Sequence, residues 1–87
     1  MLTRREINVC RAVLTALRAM PSADYLLSED TLYIDAARCV IPGATTTELD
    51  TARRYLDAQR RIAGLAGESG MLWQITDAGR LWLAQNP

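Results

Sequence analysis

The chain has 87 residues, enough for one domain and too few for two. Ten arginines, no lysine, ten acidic residues and no histidine give a formal charge of zero, which excludes the strongly basic balance of a nonspecific polyanion binder. Forty-nine per cent of the residues are apolar, which excludes a disordered chain, and no apolar run approaches the ~20 residues of a membrane span.

Thr3 to Met20 reads as the first helix. Thr3 caps it and Glu6 stands three residues later, the spacing of a capping box. Ile7, Cys10, Leu14 and Leu17 recur at helical spacing, and Val9, Val13, Ala16 and Met20 form a second apolar strip. Arg4, Arg11 and Arg18 occupy the remaining face, and Pro21 stops the helix. An apolar surface this wide belongs to a central core helix, or its second strip makes a contact with another copy.

Tyr25-Leu26-Leu27 reads as a very short strand. Ser28 then caps a helix from Glu29 to Val40, with Glu29 and Asp30 as partners of the helix dipole. Ile41-Pro42-Gly43-Ala44 is a tight break. Thr45 with Glu48 is a second capping box and opens the third helix, which Gly64 ends. Leu65-Ala66 and Met71–Ile75, around the turn Gly67-Glu68-Ser69-Gly70, read as a hairpin with Met71, Trp73 and Ile75 on one face. Thr76 caps a last helix, Asp77 to Ala84, and Gly79 inside it implies close packing against a neighbour. Cys10 and Cys39 each fall inside an expected helix with no second cysteine nearby. They form no zinc knuckle or redox pair and read as small buried hydrophobes.

The stretch TTTELDTARRYLDAQRRIAG resembles the third, recognition helix of winged helix-turn-helix domains and its exit into the wing. LWQITDAGRLWL resembles the end of such a wing, where a strand feeds directly into a closing helix. The order helix, short strand, helix, helix, hairpin, helix is also the winged-helix order. The resemblance spans nearly the whole chain, 1–87, as one domain, and implies a mainly α fold with a small β-hairpin. A stand-alone winged helix of this size also resembles bacteriophage and prophage proteins.

The resemblance implies a DNA-binding transcriptional regulator whose third helix enters the major groove of double-stranded DNA. With Leu49, Ala52 and Leu56 inward, Thr47, Asp50, Thr51, Arg54, Asp57, Ala58 and Arg61 point outward at about 100° per residue. Thr47 and Thr51 then face bases or phosphate, Arg54 a guanine or phosphate, Arg61 a phosphate, and Thr46 a phosphate at the helix start. Arg4, Arg5 and Arg60 are candidates for further phosphate contacts. Two features oppose DNA. Asp50 and Asp57 stand four residues before Arg54 and Arg61, in the favoured orientation for intrahelical ion pairs, and the only charge at the wing tip is Glu68.

Leu81, Trp82 and Leu83 are consecutive, and one helix face cannot hide all three. Val9, Val13, Leu81 and Trp82 are therefore candidates for a homodimer contact or for a protein partner. The competing reading is a winged-helix protein-interaction module that uses this apolar surface without DNA. Catalysis lacks its parts: no histidine base, no lysine and no phosphate-cradling loop are present, and no metal or cofactor is expected. The N-terminus MLTRREINVC has no signal-peptide core, so a cytoplasmic location is expected.

Overall fold

Local capping decides where each helix starts. In the computed structural model, which describes residues 2–19, 26–68 and 70–86, α1 (Arg4–Arg18) is opened by Thr3 in a complete capping box. The Glu6 amide donates to Thr3 Oγ1 at 3.1 Å and the Thr3 amide to Glu6 Oε1 at 2.8 Å. The expected end at Met20, the stop at Pro21 and the strand start at Tyr25 lie outside the described residues. A short strand, β1 (Leu27–Ser28), leads into α2 (Glu29–Arg38), with Ser28 as its cap. Helix α3 (Thr46–Ala58) starts from a second complete capping box, Thr45 with Glu48. The strands β2 (Ile62–Gly67) and β3 (Gly70–Ile75) follow, and Thr76 caps α4 (Asp77–Gln85).

The third helix ends earlier than its sequence suggests. Gly64 does not stop it; the chain turns at Arg60, whose φ of 58° is left-handed. The Arg60 amide donates to the Asp57 carbonyl at 3.0 Å and the Arg61 amide to the Leu56 carbonyl at 2.9 Å. These are the two bonds of a Schellman cap, made here without its usual glycine. A side chain in that conformation costs roughly 1–2 kcal/mol, which the two bonds and the strand that follows offset. Gly64 instead sits inside β2, where a Cβ would lie 2.6 Å from the Trp73 ring. It makes room for the tryptophan.

The sheet is antiparallel with strand order β1-β3-β2. Leu27 pairs with Trp73, and β2 pairs with β3 from Ile62↔Ile75 to Gly67↔Gly70. Strand alternation puts Trp73 and Ile75 into the core, while Met71 on the same face is 37% exposed near the hairpin tip. Among the described residues, four helices and a three-stranded antiparallel sheet make an arrangement compatible with a winged helix. Among the described residues no helix is long and apolar enough to cross a membrane.

The core lies where α1 meets α2, α3, α4 and β3. That central position buries both apolar strips of α1, so Val9 and Val13 are within the protein's own core. The expectation that they form a surface for a second copy is corrected: fully burying each contributes roughly 1.5–3 kcal/mol to folding, and nothing of them remains outside. Trp82 is corrected likewise. It is buried on α4, beneath the Arg61 guanidinium at 5.6 Å from its ring centroid. Of the trio on α4, Leu81 is the one left out, 60% exposed. Gly79 packs as its sequence position implies, since a Cβ there would stand 2.2 Å from the Arg61 carbonyl oxygen. Cys10 is buried, and burial, with Glu6 nearby, pushes its thiol up to about 11. Cys39 is not a core residue. It caps the end of α2 in solvent, with its thiol donating to the Asp35 carbonyl at 3.3 Å.

Candidate nucleic-acid interface

The start of α3 is held by charge from α1. Arg5 Nε lies 2.7 Å from Glu48 Oε2, its Nη2 reaches Glu48 Oε1 at 3.1 Å, and the same nitrogen donates to the Gly43 carbonyl at 3.3 Å. Glu48 also accepts from the Thr45 amide at 3.0 Å. The Arg5 bonds, then the Thr45 bond, hold the Glu48 carboxyl down to about 2. Arg5, proposed from the sequence as a phosphate contact, is thus paired with Glu48, with a third of its side chain still exposed. Arg4 and Arg60 are exposed.

The inner edge of α3 carries a polar network spanning three elements. Leu49, Ala52 and Leu56 are buried, and Arg53 falls between them at helical spacing. Arg53 Nε lies 3.0 Å from the Tyr33 hydroxyl and 3.1 Å from Glu29 Oε1. Its guanidinium covers the Trp73 ring at 5.3 Å, and Trp73 Nε1 donates to the same Glu29 oxygen at 3.3 Å. The Tyr33 hydroxyl in turn donates to the Asp50 carboxylate. Burial first, and that bond second, push the Tyr33 phenol up to about 12. This network joins α2, α3 and β3 and sets how α3 sits on the body of the protein.

The network overturns one sequence expectation. Asp50 does not pair with Arg54; it faces Tyr33. Asp57 does not pair with Arg61, whose guanidinium covers the Tyr55 and Trp82 rings at 5.6 Å each and donates to the Tyr55 hydroxyl at 3.3 Å. Among the described residues the ion pairs are Arg5–Glu48, Arg53–Glu29 and Arg80–Asp77. Arg61 is thus a half-buried packing residue, and its outward, phosphate-facing placement is corrected. Glu29 stands in the first turn of α2, as its reading as a dipole partner expects, and also binds Arg53 and Trp73. The missed signal was periodicity: Arg53 shares the i, i+3, i+4, i+7 stripe of Leu49, Ala52 and Leu56, and a cation there needs an internal partner.

What remains outward on α3 from its start to Arg54 is Thr46, Thr47, Thr51 and Arg54, all exposed. The Thr51 hydroxyl donates to the Thr47 carbonyl at 2.9 Å, so toward solvent it presents lone pairs and acts as an acceptor. On the side toward α1 this surface opens into an apolar groove of about 170 Å³, lined by Leu2, Val9, Thr47, Thr51 and Tyr55 among others. Glu6 and Glu48 also line this groove, and Asp57 on the last turn of α3 and Glu68 at the hairpin tip are both exposed. Comparison of the chain with family models, with curated proteins and with solved structures returned no match in any of the three.

Proposed function

We propose that the chain is a small winged-helix DNA-binding protein, acting as a transcriptional regulator, with α3 as its recognition helix. The observation that carries this reading is the division of charge on α3. Asp50 is turned inward onto Tyr33, which leaves Arg54 beside Thr47 and Thr51 with no acidic partner among the described residues. Arg54 would offer a fork to guanine O6 and N7, and Thr51 would accept from an adenine or cytosine amino group. Thr46, at the start of the helix, together with Arg4 and Arg60 would hold phosphates. The exposed carboxylates of Asp57 and Glu68 oppose phosphate contact at the last turn of α3 and at the hairpin tip. The competing reading, a protein-interaction module built on the first and last helices, loses support because Val9, Val13 and Trp82 are core residues.

Fluorescence anisotropy with a labelled mixed-sequence duplex, titrated from ~20 mM salt upward, tests the proposal. The expected result is saturable binding that weakens with salt at a slope of about −0.9 per phosphate neutralised. No binding at the lowest salt would refute it.

A further inference from the structure

The edge of β2 is an open template for another strand. In the order β1-β3-β2, only one side of β2 is paired among the described residues. The Thr76 amide donates to the Arg61 carbonyl at 3.2 Å, in line with the Ile62↔Ile75 register, so the odd-numbered residues of β2 turn their backbone groups toward β3 and the even-numbered ones turn theirs away. Ile62 is buried, but Gly64 and Ala66 are exposed, and so is Leu65 between them at 57%. The strand IAGLAG carries none of the devices that normally blunt an edge: no charge, no proline, and two glycines that admit a neighbouring backbone.

We propose that β2 pairs antiparallel with β2 of a second copy of this chain, about a two-fold axis at Leu65, joining the two sheets into one of six strands. A second copy is the occupant that fits on three grounds. An antiparallel edge is self-complementary: with Gly64 opposite Ala66 of the other copy, and the reverse, the exposed edge groups form about four hydrogen bonds. The register places Leu65 opposite Leu65 in a non-hydrogen-bonded pair, where side chains approach closest. On that face Leu65 already pairs with the half-buried Leu72, so two leucine pairs become one row of four. Charge agrees as well, because Glu68 at the end of one strand arrives at the start of the other, beside Arg60 and Arg61. No net charge opposes the approach. The interface uses none of the α3 residues Thr47, Thr51 or Arg54, and of the proposed phosphate contacts it draws only on Arg60.

Sedimentation equilibrium between ~5 and ~500 µM reads the association, since one strand pair is small beside the ~1,600 Å² of a standard interface. The mass is expected to climb from 9.7 kDa toward twice that value. Leu65→Lys sets like charges opposite each other and is expected to weaken the dimer at least ~10-fold. Ala66→Pro removes an outward amide without touching the pairing to β3 and is expected to do the same; circular dichroism confirms that both remain folded. In a Cys39→Ser background, Leu65→Cys is expected to cross-link into a disulfide dimer on mild oxidation, at a Cα separation suited to that bond, whereas Leu81→Cys on exposed α4 does not. A monomer mass at every concentration overturns the proposal. So does a dimer that both edge variants leave intact, or equal cross-linking through Leu81→Cys.

Discussion

The two long sides of α3 carry neighbouring arginines in opposite surroundings. Arg53 lies under Tyr33, Glu29 and Trp73, with 18% of its side chain exposed. Arg54, one residue on, stands in solvent beside Thr47 and Thr51. The rotation of about 100° between successive residues separates a cation that holds the helix from one that is available to a ligand. The acidic residues follow the same division. Glu29 and Asp50 serve the inner side, and by drawing Asp50 away they leave the outer side more positive than its sequence reads.

Breaking the inner side has the largest expected effect. Arg53→Ala leaves Glu29 unpaired and uncovers Trp73, and is expected to cost about 2–3 kcal/mol in chemical denaturation. If it costs no more than an ordinary surface substitution, the network does not anchor α3. Arg54→Ala reverses the pattern: stability stays within about 0.5 kcal/mol, while DNA affinity measured by anisotropy falls by about 1–2 kcal/mol. Equal affinity in that variant removes α3 from the proposed interface. Tyr33→Phe deletes two links, the bond to Asp50 and the one from Arg53 Nε, at an expected cost of about 1–2 kcal/mol. It also alters alkaline behaviour. The folded phenol, raised to about 12 from an ordinary 10, contributes stability that is present below pH 10 and lost as pH rises from 10 to 12; Tyr33→Phe should flatten that loss in a pH-dependent melting series. The smallest effect belongs to the third side of the helix, toward α1. Glu48, held at about 2 in the fold against an ordinary 4.5, contributes stability that is present above pH 4.5 and fades as pH falls toward 2. Glu48→Gln should remove this part of the acid limb and leave neutral DNA binding unchanged.

Much of the fold is legible in the sequence because its signals are local. Thr3, Ser28, Thr45 and Thr76 each cap the helix they precede, since a cap needs only its own backbone three residues on. The closeness at Gly79 was readable from an otherwise unfavourable glycine in a helix. The end of α3 was not, because the turn falls on Arg60, a residue with no preference for a left-handed backbone, while Gly64 offered a false stop. Partner choice was hidden for a related reason. Asp50 and Arg54 have the correct helical spacing, yet a Tyr33 hydroxyl brought in by α2 takes the carboxylate. The burial of Val9 and Val13 was one of the two readings of the wide apolar surface of α1, whereas which of Leu81, Trp82 and Leu83 stays outside depends on the elements around α4, which no single helix pattern encodes. Of the candidate interface, Thr46, Thr47, Thr51, Arg54, Arg4 and Arg60 are exposed, while Arg5 bonds to Glu48 and Arg61 covers Tyr55 and Trp82.

The central position of β3 also sets an order of events. Its outer partner β1 meets it through Leu27↔Trp73, a contact between distant parts of the chain, whereas β2 reaches it across a tight turn. The hairpin can close as soon as its own residues are available, on the microsecond scale of such elements. Strand β1 is made well before its mate and stays unpaired until β3 follows. During synthesis the helical part of the chain therefore has to wait for the last strand before Trp73 can enter the core and Glu29 and Arg53 can find it.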